Sequence, residues 1–241
     1  AARSAASLGR PGDVDPSSRT APVPHPGKIV AVGLNYREHA KEHDGEVEAP
    51  ELPMLFAKFP TSVVGDRDAI EWDPGLTDAV DLEAELGVVI GRTARRVRAE
   101  DALDHVLGYT AVNDVSARDL QFADKQFVRG KSLDTFCPMG PALVTVDELG
   151  DASGLGVRSF RNDEPIQDGN TTDLIHDVRT LVAFCSRAFT LEPGDVIATG
   201  TPSGVLYFRE PRVMLGDGDS VRVEIDGIGS LTNPCRELQL D

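Results

Sequence analysis

The segment Asp81-Leu82-Glu83-Ala84-Glu85-Leu86-Gly87-Val88-Val89-Ile90 limits the fold more than any other stretch of the chain. Acidic and apolar residues alternate in it with a period of two. As a strand it puts Leu82, Ala84, Leu86, Val88 and Ile90 on one face, and Asp81, Glu83, Glu85, Gly87 and Val89 on the other. A lone Glu-x-Glu is ordinarily a solvated strand face. Here Val88-Val89-Ile90 is apolar on both faces, so the strand enters the interior just after Glu85. Glu83 and Glu85 are then neighbours roughly 7 Å apart. Like charges entering a low-dielectric region repel and resist ionisation. A hard divalent cation held by oxygens removes that conflict.

The rest of the chain reads as a mainly β fold with some α. Val221, Val223 and Ile225 alternate with polar residues, Asp226-Gly227 turns the chain, and Ile228 to Leu231 returns as a hairpin. Val157 to Phe160 and Pro165 to Gln167 flank a second turn at Asn162-Asp163, and Pro193-Gly194-Asp195 leads into the strand Val196 to Thr199. One helix is predicted from about Thr172 to Phe189, where Leu174, Val178, Leu181, Val182, Cys185 and Phe189 recur at helical spacing. Residues 1–27 are rich in Ala, Ser, Gly and Pro and read as an extended N-terminal arm. Residues 28–241 read as one catalytic domain.

Charge and cysteine usage exclude some partners. The chain carries a net charge of −16, which disfavours nucleic acid and anionic membrane surfaces. No apolar run approaches the ~20 residues of a membrane span. Cys137, Cys185 and Cys235 form no paired framework, so a reducing cytoplasm is expected.

Four further groups could carry chemistry. Tyr109 to Asn113 reads as a strand ending at Asp114, which is either a helix cap or a third carboxylate. Three carboxylates with vacant positions would suit Mg²⁺. Asn35-Tyr36-Arg37-Glu38-His39-Ala40-Lys41-Glu42-His43 opens like a capping box and predicts a short helix with little apolar face, either a solvated surface helix or a lid. His39 and Glu42 meet on one of its faces, where Glu42 could orient the imidazole as a general base. Lys131 lies between aromatic stretches and is either a surface lysine or a buried one needing an anionic partner. Gly200-Thr201-Pro202-Ser203-Gly204 follows a strand and is either an ordinary turn or an anion-binding loop.

Taken in order, these segments resemble the fumarylacetoacetate hydrolase family. The matching stretches are Val32-Gly33-Leu34-Asn35-Tyr36 with His39 and Glu42, then Asp81 to Leu86, Asn113 to Gln121 and Gly130 to Phe136. Thr199 to Val205, and Gly227-Ile228-Gly229 to Asn233-Pro234, complete the set. The resemblance implies the family's mixed β-sandwich roll, usually a homodimer. It implies Glu83, Glu85 and Asp114 as ligands of Mg²⁺ or Mn²⁺, with Ca²⁺ as a substitute. It implies His39 and Glu42 as a lid dyad, Lys131 as an active-site lysine, and Arg118, Gln121, Thr201 and Gly200 as substrate contacts. The chain departs from the family where Gly204-Val205 runs on into Leu206-Tyr207-Phe208-Arg209, which alters the expected pocket wall.

The implied substrate is a small 2-oxo or enol acid that chelates the metal. Cleavage of a C–C bond is the first expectation, by hydrolysis of an acylpyruvate or decarboxylation of an oxaloacetate-type acid. The alternative is isomerisation of a 2-hydroxyhepta-2,4-diene-1,7-dioate or 5-carboxymethyl-2-hydroxymuconate type in aromatic catabolism, with a second substrate carboxylate meeting Arg209 or Arg118. A non-catalytic metal-binding scaffold is a remote third reading.

Overall fold

Period-two alternation of apolar positions dominates the molecule and builds strands. The computed structural model describes residues 20–42 and 50–239. The first part of the chain forms β1 (Ile29–Gly33), β2 (Met54–Lys58), β3 (Val63–Val64), β4 (Ile70–Trp72), β5 (Val80–Asp81), β6 (Ala84–Ile90) and β7 (Val106–Asn113). It continues through β8 (Ser116–Ala117), β9 (Cys137–Thr145), β10 (Gly156–Arg161), β11 (Glu164–Asn170), β12 (Val196–Ala198), β13 (Ser220–Ile225) and β14 (Gly229–Glu237). The helices are short: α1 (Arg37–Glu42), α2 (Arg118–Asp124), α3 (Val128–Lys131), α4 (Val146–Leu149) and α5 (Val178–Ala188). Among the described residues no helix is long and apolar enough to cross a membrane.

Two mixed sheets carry the fold. One has the order β2-β1-β12-β6-β7-β9-β3 and the other β11-β10-β13-β14-β4. The main core lies between them. Leu86, Val88 and Ile90 of β6 meet Val223 and Ile225 of β13, with Leu181, Val182 and Cys185 of α5. Each such side chain contributes about 1.5–3 kcal/mol on burial. The other face of the large sheet buries Ile29, Ala31, Val89, Val112 and Ala198. Glu85 stands opposite Val112 in the β6–β7 ladder, so it projects from this second face. Of the N-terminal arm, residues 20–27 are described, and Ala21 is buried against this same cluster.

Three expectations shift. The helix begins at Val178 and not near Thr172, because the Asp177 side chain accepts from Thr180 N at 2.8 Å and caps it. Leu174 instead forms a β-bridge with Tyr36. Ile228 belongs to the turn before β14: its amide donates to Ile225 O and its side chain is anchored in the core. The acidic strand is not continuous, since Leu82 and Glu83 separate β5 from β6.

Candidate active site

The break between β5 and β6 creates the site. Asn113 Oδ1 accepts from Glu83 N at 3.0 Å, and Gln167 Oε1 accepts from Ala84 N at 2.9 Å. These side chains supplement the backbone bond from Asp114 N to Glu83 O. Leu82 is diverted into a second core with Ile70, Trp72 and Phe136, so it does not share a face with Leu86 as the alternation implies. Asp81 does not join Glu83 and Glu85 in the acid cluster. Its Oδ1 accepts from Leu206 N at 2.9 Å, and its Oδ2 accepts from Tyr207 N at 3.1 Å and from Arg118 Nε at 2.9 Å.

Glu83, Glu85 and Asp114 converge. Each offers an oxygen, and these lie within 4.8 Å of one another, all three residues buried. A solvated strand face is ruled out for the two glutamates, which are 4% and 1% exposed. Helix capping is ruled out for Asp114, because α2 starts at Arg118 with Ala117 at its N-cap. Asp114 follows Val112 by two residues and so projects on the same side as Glu85.

Cations are interleaved with these acids. Lys131 is buried, with Nζ 2.7 Å from Glu83 Oε2 and 2.8 Å from Asp114 Oδ2. Arg118 Nη1 sits 2.7 Å from Glu83 Oε1. Lys58 was not singled out in the sequence. It is fully buried, its Nζ lies 2.5 Å from Asp114 Oδ1, and it also donates to the carbonyls of Val115 and Lys131. The alternation Met54-x-Phe56-x-Lys58 was the available signal. Its last member faces the same side of the sheet as Glu85, since Lys58 pairs with Ile29.

The charges divide unevenly. Burial pushes the Glu83 carboxyl up, but Lys131 and Arg118 outweigh it and hold Glu83 well below the usual carboxylate range. Burial, then Asp114 and Glu83, push Glu85 well above that range. Burial depresses Lys131, yet Asp114 and Glu83 carry it above its ordinary value. Among the described residues no lysine or arginine forms an ion pair with Glu85, and its Oε2 accepts only from Gly200 N at 2.9 Å. The uncompensated charge is therefore at Glu85. A divalent cation among three oxygen donors would remove it, so the donor set suits a hard metal such as Mg²⁺ or Mn²⁺.

The other expected residues surround a cavity of about 250 Å³ above this floor. His39, Arg118, Gln121, Lys131 and Thr201 line it with Glu83 and Glu85. His39 Nδ1 lies 2.7 Å from Glu42 Oε2, and Glu42 Oε1 accepts from Gly204 N at 2.8 Å. The dyad is thereby tied to the Thr-Pro-Ser-Gly loop. Its helix is no solvated surface helix, because Tyr36, His39 and Ala40 are all buried. Nor is Asn35 half of a capping box. Its amide bridges the carbonyls of His176 and Thr199 and accepts from His176 N. His43 falls outside the described residues. Gly200 places its amide on Glu85 and not toward the cavity. It has φ +101, and a Cβ there would lie 2.8 Å from Asn35 Cβ. Thr201 Oγ1 donates to Ala84 O and accepts from Gln167 Nε2.

The departure at Leu206 resolves simply. Its side chain enters the second core, and Phe208 packs edge-on against the His39 ring at 6.2 Å. Arg209 donates to the carbonyls of Gly204 and Ile166 and does not line the cavity.

Comparison with known proteins agrees with this geometry. The fumarylacetoacetate (FAA) hydrolase C-terminal family matches residues 28–236. The mitochondrial oxaloacetate tautomerase of Xenopus laevis is 47% identical over 219 residues, 90% of this chain and 68% of that protein. The oxaloacetate tautomerase YisK of Bacillus subtilis is 47% identical over 214 residues, 88% of this chain and 71% of that protein. Among solved structures, 5-carboxymethyl-2-hydroxymuconate delta-isomerase from Mycobacterium smegmatis superposes with a TM-score of 0.81 at 41% identity, covering 92% of this chain and 83% of that one. A fumarylacetoacetate hydrolase from Exiguobacterium antarcticum gives 0.84 at 46% identity, covering 91% and 78%. A mostly β chain with its acids, lysine and histidine–glutamate pair at one cavity, matched over nearly its whole length, belongs to the fumarylacetoacetate hydrolase family.

Proposed function

We propose that this chain is a divalent-metal-dependent enzyme that shifts a proton on a small 2-oxo acid through an enolate, with oxaloacetate the first substrate to test. The observation that carries the reading is the buried Glu83–Glu85–Asp114 cluster, whose two glutamates line the same cavity as His39. The names of the relatives support a proton shift, being oxaloacetate tautomerases and a delta-isomerase.

Glu83, Glu85 and Asp114 would hold Mg²⁺ or Mn²⁺, which supplies Lewis acidity that acidifies the carbon beside a ketone. The remaining steps belong to side chains. Glu42 accepts the Nδ1 proton of His39 and fixes the tautomer, so Nε2 is the basic nitrogen that takes and returns the substrate proton. Lys131 places positive charge beside the developing enolate. Gln121 and Thr201 orient the acid from the cavity wall.

C–C cleavage of an acylpyruvate or of oxaloacetate is the second reading. The His39–Glu42 pair favours it, because a carboxylate-held imidazole also suits activation of water. Product analysis by NMR decides, using oxaloacetate, acetylpyruvate and 2-hydroxyhepta-2,4-diene-1,7-dioate with Mg²⁺ or with EDTA. Mg²⁺-dependent enol–keto exchange without new carbon fragments supports the proton shift. Pyruvate with acetate, or with CO₂, replaces it with cleavage. Equal rates in EDTA would remove the metal from the reaction.

A further inference from the structure

The cavity is polar at one end only, and strand β2 sets the gradient. Met54, Phe56 and Lys58 are two apart and share a face. Lys58 sits on Asp114 among the carboxylates. Phe56 lies next, its ring 5.2 Å from Lys131 Nζ and 5.5 Å edge-on from Phe127. Met54 is furthest along, folded over Gly33 so closely that a Cβ there would lie 2.2 Å from Met54 Cε. Leu34 lines the same cavity, and α2 adds Phe122 directly after Gln121. Phe122 is braced by Tyr207 at 5.0 Å between ring centroids.

Among the described residues the lysines and arginines that line this cavity are Arg118 and Lys131 alone, and both belong to the carboxylate end. Arg118 is held by Asp81 and Glu83, Lys131 by Glu83 and Asp114, and Lys58 by Asp114. Arg209 is spent on backbone carbonyls, and Arg212 on the Tyr207 carbonyl and ring. A carboxylate placed between Met54, Phe56 and Phe122 would give up part of its water and meet no cation on the cavity lining. A hydrocarbon group there would gain about 25 cal/mol per Å² buried.

We propose that the Leu34–Met54–Phe56–Phe122–Phe127 end is a subsite for an uncharged hydrocarbon tail, so that the chain favours 2-oxo monoacids with an extended tail over diacids charged at both ends. This rests on the reading that the carboxylate end takes the 2-oxo acid head. Oxaloacetate is short enough to stay at that end, whereas a seven-carbon diacid would push its second carboxylate into the apolar half.

Binding separates the two ideas, because it needs no turnover. The experiment measures Kd by calorimetry with Mg²⁺ for pyruvate, 2-oxopentanoate, 2-oxoheptanoate and 2-oxoheptanedioate. Each of the first few added methylenes should tighten binding about fourfold. The seven-carbon monoacid should bind at least about tenfold tighter than the seven-carbon diacid. Met54→Lys and Phe122→Arg, each checked for folding by thermal melting, should narrow or reverse that preference by supplying a cation. A flat series, or a diacid that binds as well as the monoacid, overturns the subsite even if oxaloacetate is turned over. A rising series with no turnover of any substrate leaves the subsite standing and removes the proposed reaction. Failure of every compound to bind removes both.

Discussion

The floor of the site and the helix above it are built by opposite means. The floor hangs on strand register: Glu85 is fixed opposite Val112, and Glu83 and Asp114 each have both oxygens held by buried cations. The helix α1 has six residues and is tied to the loop beside the site from His39 through Glu42 to Gly204 N. A short helix gains little from its own hydrogen bonds. The difference teaches that metal affinity should reside in the floor and proton transfer in the helix, so substitutions in the two regions should separate cleanly.

The largest effect expected is from Glu83→Ala. It removes a proposed ligand and leaves Lys131 and Arg118 short of a partner, which typically costs about 3–5 kcal/mol. Mg²⁺ binding by calorimetry should vanish and the melting temperature should fall. Retained stoichiometric Mg²⁺ affinity would take Glu83 out of the ligand set. His39→Ala comes next, with turnover reduced about 10²- to 10⁴-fold and Mg²⁺ affinity unchanged. A matching loss of metal affinity would break the comparison, because the helix would then belong to the floor.

Lys58→Met sharpens it. Lys58 spends its donors on Asp114 Oδ1 and the carbonyls of Val115 and Lys131 and is off the cavity lining, so its expected part is to position Asp114. Metal affinity should weaken about 10- to 100-fold, and activity should return at saturating Mg²⁺. Activity that stays lost at saturation would assign Lys58 to the chemistry.

The smallest effect concerns pH. Burial and two neighbouring acids hold the Glu85 carboxyl above its unfolded value. The proton it binds is therefore stabilising at low pH, and that stability is lost as pH rises through the folded pKa. In EDTA, Glu85→Gln should melt close to the unsubstituted protein at pH 5 and higher than it at pH 8, by on the order of a few degrees. Equal melting at both pH values would show that Glu85 carries no uncompensated charge.

Much of this site was legible residue by residue, and the failures have physical causes. Glu83 and Glu85 stood out because two acids ran into an apolar strand. Asp114 was ambiguous, since a carboxylate between a strand and a helix serves equally as cap or ligand until its partners are known. Lys58 was marked only by its alternation with Met54 and Phe56, because nothing local shows that a lysine ending an edge strand reaches 56 residues onward to Asp114. The predicted start of α5 was early because Leu174 fits helical spacing while being claimed by the bridge to Tyr36.

The sequence by itself determined the elements whose signal is local: the alternating strands, the turns at Asn162-Asp163 and Asp226-Gly227, and the ordered segments that mark the family. Tertiary structure alone decided the interruption at Leu82-Glu83, where the Asn113 and Gln167 side chains take the amides of Glu83 and Ala84. It also decided which buried acids meet a cation and which, like Glu85, do not, and it committed Arg209 to backbone carbonyls. Periodicity is written along the chain, but the free energy of a buried charge depends on which distant group comes within about 3 Å of it.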